Sequence, residues 1–128
     1  MNKDKNKIIN FTDLKAWKEA HALSLEIYKA TKFFPKDELF GLTSQMRRSS
    51  VSITSNIAEG FSRQSYKEKC SFYYIALGSV TELQSQLLIA KDIKYLKKIK
   101  VEEIYHQTIK VHKILNGLIK SSKEKHNS

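Results

Sequence analysis

A near absence of chain-breaking residues is the feature that most constrains this sequence, because 128 residues contain only one proline and four glycines. Between these breakers, apolar residues recur every three or four positions, which is the period of an amphipathic α-helix and not the alternation of a β-strand. Four such segments follow one another through short connections. The pattern therefore predicts an all-α protein folded as an antiparallel up-down-up-down four-helix bundle.

Local signals set the expected ends of these helices. Thr12 is the predicted N-cap of the first helix, and Pro35 ends that helix because it disfavours the α conformation in the residue before it. A capping box at Ser65 and Glu68 begins the third helix. The fourth helix follows a basic connection over residues 92–100. The predicted core stripe of the first helix consists of Leu14, Trp17, His21, Leu25 and Tyr28.

The chain length fits one domain. We expect the bundle to occupy residues 11–120, with a flexible basic arm over 1–10 and a disordered basic tail over 121–128. No stretch approaches the roughly 18 apolar residues of a membrane span, and no apolar signal-peptide core follows the N-terminal lysines. A cytoplasmic protein without membrane contact is the resulting expectation.

The charge is strongly positive, with a formal net charge of +10. Most of the surplus lies in residues 91–128, where ten lysines face four acidic residues. Clustered cations suit a polyanion such as nucleic acid, because binding releases counterions condensed on the phosphates. Codon drift in an AT-rich genome explains the abundance of lysine equally well, so the charge alone leaves both interpretations open.

One run of apolar residues does not fit an isolated bundle. Phe72, Tyr73, Tyr74 and Ile75 are consecutive, and at about 100° per residue they cover most of a helix circumference. Such a helix is buried on more than one side. The aromatic residues pack either under loops or in a subunit interface, and we favour self-association.

Five blocks of sequence carry a family resemblance. FFP at 33–35 precedes ELFGL at 38–42 and QMRR at 45–48, and SITSNIAEG at 52–60 precedes IALGS at 75–79. In this order and register they resemble the 23S rRNA intervening-sequence proteins, a family of four-helix bundles.

The resemblance implies more about assembly than about chemistry. Several members of the family form ring-shaped homopentamers, and some are encoded in insertions within bacterial 23S rRNA genes. A related group, the accessory variability determinant of diversity-generating retroelements, is a basic pentamer that binds a reverse transcriptase and nucleic acid. The family has no established catalytic residues. A homo-oligomer, with a pentamer favoured, is therefore expected.

Enzymatic chemistry has no visible location in the sequence. Glu103 and His106 have the spacing of a di-iron motif, but such sites need two motifs and two further glutamates. His21 has no candidate co-ligand and is interpreted as a buried, hydrogen-bonded histidine. Cys70 is the only cysteine, which excludes an intramolecular disulfide and leaves no Cys-based zinc site. We expect no catalytic, metal or cofactor site.

Polar and aromatic residues provide two sets of candidates. Asn56 and Glu59 are predicted to hold neighbouring helices or subunits in register, with direct ligand contact as the alternative, and Glu59 is spaced to pair with Arg63. Together with Phe72, Tyr73 and Tyr74 they form the structural and oligomer set. The candidate nucleic-acid contacts are Arg47, Arg48, Arg63, Lys67, Lys91, Lys94, Lys97, Lys98 and Lys100.

Two functional hypotheses follow. The first is a non-enzymatic, homo-oligomeric bundle that binds RNA or DNA through basic surfaces, as an accessory to a nucleic-acid enzyme such as a reverse transcriptase. In the second, the bundle is a protein–protein interaction scaffold that does not contact nucleic acid directly. Intersubunit salt bridges at Arg47 and Arg48 fit the second hypothesis as well as phosphate contacts fit the first, and Tyr66 beside Lys67 is placed to stack on an unpaired base.

Overall fold

Four α-helices account for most of the computed structural model, which describes residues 7–127. Two 3₁₀ turns, Phe11–Asp13 and Lys36–Glu38, precede the first and second helix. The first helix packs against the second and fourth, and the third packs against the same two, so that all four surround one core. The predicted all-α four-helix bundle is confirmed, and residues 7–127 contain no β-strand. The helices are α1 Lys15–Thr31, α2 Leu42–Ser62, α3 Tyr66–Asp92 and α4 Lys98–Asn127.

The chain enters α1 through a capped 3₁₀ turn. Asn10 caps this turn, because its side-chain oxygen accepts a hydrogen bond from the Thr12 backbone N–H at 2.9 Å. The predicted cap of the first helix, Thr12, lies inside the turn, and the N-cap position of α1 is Leu14, which makes no side-chain cap. The Asp13 carboxylate accepts from the Asn10 backbone N–H at 3.0 Å and completes a capping box. Asn10 is therefore part of the folded chain and not of an arm over 1–10. Residues 1–6 of the predicted arm lie outside the described range.

α1 buries a different face from the predicted one. Of the predicted residues, Leu14 is buried, Trp17 is half-buried, and His21, Leu25 and Tyr28 are exposed. His21 is therefore not a core histidine, and its ring stacks on the Trp17 ring at 4.7 Å. The buried stripe has the same period but is rotated by one residue, or about 100°. It contains smaller side chains, which allow closer packing against the neighbouring helices. Its members are Ala16, Ala20, Leu23, Ser24, Ile27 and Thr31.

The hydroxyl-rich middle of α2 is helical although serine and threonine favour other conformations. Neighbouring helices supply partners for three of its serine hydroxyls, so that their burial costs little. Ser50 also donates to the Arg47 carbonyl oxygen at 2.9 Å. The interhelical pairs are Ser49 Oγ with Gln86 Oε1 (2.8 Å), Ser50 Oγ with Ser24 Oγ (3.1 Å) and Ser52 Oγ with Ser79 Oγ (2.9 Å).

α2 and α3 approach each other closely at Gly60. A Cβ atom at this position would lie 2.7 Å from Tyr73 Cε1 and 3.0 Å from the Lys69 backbone oxygen. The oxygen belongs to α3 itself and cannot rotate away. Gly60 is thus an interior helical residue whose lack of a side chain lets Tyr73 lie flat against α2.

α4 is longer than expected. It is helical through Asn127, which corrects the disordered tail predicted for residues 121–128; Ser128 lies outside the described range. The helix persists because its buried stripe continues past Gly117 to Ile119 and Ser122, both of which are buried. The Ile119 carbonyl oxygen lies 3.9 Å from the buried Cys70 Sγ of α3.

The connection between α3 and α4 is held against the start of α2. Lys94 has a φ of 67°, which reverses the chain direction. The Tyr95 ring then packs on Phe34 at 5.2 Å, and its hydroxyl donates to Glu38 Oε2 at 2.8 Å. Glu38 Oε1 accepts from the Leu42 backbone N–H at 3.0 Å. One carboxylate therefore joins the first turn of α2 to the α3–α4 connection.

Replacing Gly60 by alanine is expected to destabilise the protein, in spite of the higher helix propensity of alanine. The new methyl group overlaps Tyr73 and the Lys69 carbonyl, and overpacking of this kind typically costs about 1–3 kcal/mol. Gly117→Ala is the matched control, since no heavy atom lies within 4 Å of its added Cβ, and it should raise the free energy of unfolding by about 0.5–1 kcal/mol. Urea denaturation of both variants measures the difference. Equal stabilisation by both substitutions would contradict the close approach.

The Glu38 contacts predict a pH dependence of stability. The Leu42 N–H, and after it the Tyr95 hydroxyl, hold the pKa of Glu38 below its ordinary value. A carboxyl whose pKa is lowered by folding stabilises the native state above its unfolded pKa, and this stabilisation disappears as the pH falls through the folded pKa. Tyr95→Phe should raise the Glu38 pKa toward its ordinary value and reduce the loss of stability in acid. NMR titration of the side-chain carboxyl tests this, and an unchanged Glu38 pKa in the variant would refute it.

Candidate nucleic-acid interface

The fold brings the basic α3–α4 connection next to a second lysine-bearing segment. A groove of about 530 Å³ lies between them, lined by Lys29 and Phe33 of the α1–α2 segment and by Lys97, Ile99 and other residues of the α3–α4 segment. The Tyr95 contacts with Phe34 and Glu38 hold the two segments together. We call this part of the molecule the basic end. Its lysines are Lys29, Lys32, Lys36, Lys91, Lys94, Lys97, Lys98 and Lys100.

The predicted lysines at the basic end differ in their surroundings. Lys94, Lys97 and Lys98 are exposed, whereas Lys91 and Lys100 are half-buried. Lys100 lies 3.4 Å from Glu103 and 3.9 Å from Glu26, so part of its charge is balanced within the chain. The exposed lysines therefore carry most of the accessible positive charge of this connection.

The three arginines each have a partner within the chain. Arg48 forms an ion pair with Glu82 of α3 at 2.9 Å, and Arg63 forms one with Glu59 at 2.5 Å, as the four-residue spacing predicts. The Arg47 Nε donates to Thr31 Oγ1 at 2.9 Å. The Arg48–Glu82 pair is solvent-exposed, and such pairs contribute only about 0–1 kcal/mol. It can therefore exchange its carboxylate for a phosphate at small cost.

Asn56 and Glu59 make their polar contacts inside α2. Asn56 Nδ2 donates to the Ser52 carbonyl oxygen at 2.9 Å and lies 3.0 Å from Ser52 Oγ. Because Ser52 Oγ also contacts Ser79 of α3, Asn56 supports an interhelical contact without reaching α3 itself. Glu59 is paired with Arg63. Within the chain, the contact with α3 at this point is made by Ser52, and a contact of Asn56 or Glu59 with a neighbouring subunit or a ligand stays a prediction.

The structure separates the three consecutive aromatic residues of α3. Tyr73 is only 1% exposed and packs in the core of its own chain, so it is not available for a subunit contact. Burial, followed by the nearby Cys70, raises the pKa of Tyr73 to about 12. Phe72 is half-buried, with the Arg63 guanidinium 4.6 Å above its ring. Tyr74 is 49% exposed and accepts a hydrogen bond from Lys123 Nζ at 2.7 Å.

A separate apolar surface lies on α1 and α2. Phe40 is 92% exposed, and it lines a shallow groove with Tyr28, Leu39 and Val51, which are each exposed as well. Arg47 and Arg48 border the same groove. We call Tyr28, Leu39, Phe40 and Val51 the α1–α2 apolar face. It combines an apolar surface with adjacent positive charge.

The described side chains gather no metal-ligand cluster: within residues 7–125, no three His, Cys, Asp or Glu side chains are grouped as such a site requires. His106 is exposed, and Cys70 is buried. In the same range, no helix is both long and apolar enough to cross a membrane.

Sequence reasoning missed three lysines of the basic end, and it also missed Lys123, which lies beside Tyr74. Lys29, Lys32 and Lys36 join the basic end only because α1 and α4 pack together. Lys123 reaches Tyr74 only because α4 continues to Asn127. The position of Lys123 on α4 could have been predicted, since the helical spacing of Leu115, Leu118 and Ser122 extends the α4 stripe beyond Gly117.

Comparison with known proteins gives a consistent result. The fold is similar to the crystal structure of a protein of unknown function from the S23 ribosomal protein family of Bacteroides thetaiotaomicron, with a TM-score of 0.76 and 24% sequence identity. The alignment covers 82% of this chain and 95% of that chain. The search of curated proteins gives no match to this chain.

The family comparison extends over most of the fold. The model described as 23S rRNA-intervening sequence protein matches residues 12–117, which reach into all four helices. It is not a known enzyme family. This chain belongs to the 23S rRNA-intervening sequence protein family.

Proposed function

We propose that this protein is a non-enzymatic, homo-oligomeric bundle that binds RNA or DNA through phosphate contacts at the basic end. The single observation that carries the proposal is the meeting of eight lysines at one end of the bundle, from the α1–α2 and α3–α4 connections and from the adjoining ends of α1, α3 and α4. The family resemblance supports a role beside a nucleic-acid enzyme such as a reverse transcriptase.

An antiparallel arrangement of the helices underlies this proposal, and pairs of contacts support it. Arg47 near the start of α2 bonds Thr31 at the end of α1, and Gly60 near the end of α2 lies against Tyr73 in the first half of α3. Likewise, Cys70 early in α3 contacts Ile119 late in α4. In such a bundle the α1–α2 and α3–α4 connections lie at the same end.

Electrostatics favours phosphate as the partner of the basic end. Lys94, Lys97 and Lys98 are exposed on a short connection, where a phosphate backbone can approach without displacing packed side chains. Each phosphate neutralised by a lysine releases counterions, so the logarithm of the association constant falls with the logarithm of salt by about 0.9 per contact for duplex DNA and about 0.7 for single strands.

A triple substitution at the basic end tests phosphate binding. Lys94→Gln, Lys97→Gln and Lys98→Gln together should weaken binding and reduce the salt slope by about 2–3. The control triple Lys15→Gln, Lys18→Gln and Lys113→Gln removes the same charge from exposed positions elsewhere and should leave the slope nearly unchanged. Fluorescence anisotropy with unrelated RNA and DNA from 50 to 300 mM salt gives both slopes. No binding at 50 mM salt, or equal slopes for the two triples, would refute the proposal.

Self-association is the second part of the proposal, and the α1–α2 apolar face is its proposed surface. Phe40→Ser should shift the protein toward the 14.8 kDa monomer, because burying a phenylalanine side chain contributes about 1.5–3 kcal/mol. Phe33→Ser is the matched control, with an 86% exposed ring outside this face, and should keep the parent assembly. Light scattering at high micromolar concentration measures the mass, with a pentamer expected for the parent. A monomeric parent protein would contradict self-association.

The apolar face also favours a second candidate function, the protein–protein interaction scaffold. An exposed aromatic residue beside arginines is a common composition for a binding surface between proteins. Capture of cellular partners before and after nuclease treatment separates the two functions. A partner that survives nuclease and is lost in Phe40→Ser favours the scaffold, whereas one that nuclease removes favours nucleic-acid binding.

A further inference from the structure

A second cationic groove lies where the first turns of α3 meet the end of α4. It has a volume of about 510 Å³. The α4 turn that closes it belongs to residues 121–127, which the sequence pattern assigns to a disordered tail. We call it the tyrosine–lysine groove, and its lining residues are Tyr66, Lys67, Cys70, Ser71, Tyr74 and Lys123.

Aromatic surface forms the long side of this groove. Tyr66 and Tyr74 are eight residues apart on α3, which places them about 12 Å apart along the helix axis. Tyr74 is 49% exposed, and Tyr66 is half-buried. Tyr73, which lies between them in sequence, faces the core, so the groove is lined by the two rings that the core does not use. Both rings are within reach of a planar ligand entering from solvent.

Positive charge borders the aromatic side. Lys67 is exposed, and Lys123 Nζ lies 5.3 Å from the centroid of the Tyr74 ring as well as donating to its hydroxyl. Among the six lining residues there are two lysines and no carboxylate. Lys69 and Lys125 add to the positive charge nearby: burial, and then the charge of Lys125, lower the pKa of Lys69. A ligand for this groove therefore has to be both aromatic and anionic.

We propose that the tyrosine–lysine groove binds unpaired nucleotides of single-stranded RNA or DNA, with one base on each tyrosine ring and the adjacent phosphates on Lys67 and Lys123. This inference rests on the proposed function, because it assumes that nucleic acid is the partner. It adds a preference for single strands, since paired bases are enclosed by their neighbours in a duplex and cannot lie on a tyrosine. The lysines alone provide no such preference, because phosphates are common to all nucleic acids.

The chemistry fits this occupant better than an acidic peptide. Aspartate and glutamate side chains would satisfy the lysines but leave the exposed Tyr66 and Tyr74 rings without a planar partner. A nucleobase has a π-face whatever its identity, so stacking on tyrosine is tolerant of sequence. Lys67 follows Tyr66 on α3, and Lys123 of α4 contacts Tyr74, so that each ring has a lysine nearby for the phosphate of a stacked nucleotide.

The test compares four probes of equal length: a uridine strand, a thymidine strand, a duplex and a strand of abasic residues. The double variant Tyr66→Leu/Tyr74→Leu keeps apolar volume and removes the aromatic planes. It should bind both single strands about 5- to 150-fold more weakly for each stacked base lost, and should bind the duplex within twofold of the parent. The abasic strand should bind parent and variant alike.

Two further variants complete the experiment. Phe11→Leu is the matched control, because Phe11 is a half-buried aromatic residue like Tyr66 and lies outside the groove, the basic end and the α1–α2 apolar face. It should leave single-strand binding unchanged. Lys123→Gln removes one cation at an exposed site and should reduce the single-strand salt slope by about 0.7. This variant keeps the proposal testable if the double tyrosine variant fails to fold.

The outcomes separate this inference from the proposed function. If the parent protein binds none of the probes, the proposed function itself fails. If the parent binds duplex and single strands equally, and neither the tyrosine pair nor Lys123→Gln changes single-strand binding, nucleic-acid binding stands and the groove is not its single-strand site. Displacement of the strand by uridine monophosphate at the same nucleotide concentration would assign the groove to free nucleotides and overturn the proposal.

Discussion

The packing of α2 against α3 at Gly60 is the contact on which the other features depend. At this point the Tyr73 ring lies where any side chain on residue 60 would be. Further along the same pair of helices, Ser49 and Ser52 reach Gln86 and Ser79. Small residues let the two backbones approach, and the hydroxyls at that short distance find partners on the opposite helix. Among the side chains of residues 7–125, no buried nitrogen or oxygen lacks a hydrogen-bond partner. The small and hydroxyl-bearing residues of α2, which disfavour an isolated helix, are therefore the residues that let it pack closely against α3.

The Gly60 contact also decides where the neighbouring aromatic residues point. Since successive helical residues are about 100° apart, fixing Tyr73 toward α2 turns Phe72 and Tyr74 to opposite sides. Phe72 comes to lie under Arg63, which extends from the end of α2, and Tyr74 comes to lie beside Lys123 of α4. The three consecutive aromatic residues of α3, which point to different sides of the helix, thus have three different environments within one chain. One ring fills the core, one lies under a guanidinium, and the exposed ring of Tyr74 is bordered by an ammonium group.

The sequence predicted those parts of the fold that a single unambiguous pattern controls. The α4 stripe through Ile104, Val111 and Leu115, and the Ser65 cap of α3, agree with the structure because no competing pattern exists there. In α1 two stripes share the helical period. The sequence pattern favours the stripe with larger and more apolar side chains, whereas the folded protein buries the stripe that contains Ala16 and Ala20, because it packs more closely. The charged composition of residues 121–127 favours a disordered tail. The buried face of α4 nevertheless continues to Ser122 and keeps this segment helical. Neither basic surface was predictable in full, since each is assembled from two segments that meet only in three dimensions.

The two basic surfaces stand at opposite ends of α3, and this separation gives them different consequences. α3 has 27 residues, so its ends are about 40 Å apart, several times the roughly 10 Å over which charges interact at 0.1 M salt. The lysines of one end therefore do not strengthen phosphate binding at the other, and substitutions at the two ends should affect binding additively. The basic end offers cations on a connection and can contact any phosphate backbone. The basic end has the exposed ring of Phe33 beside its lysines, whereas the tyrosine–lysine groove has two rings on one helix, Tyr66 and Tyr74. We therefore expect a preference for unpaired strands to arise mainly in this groove.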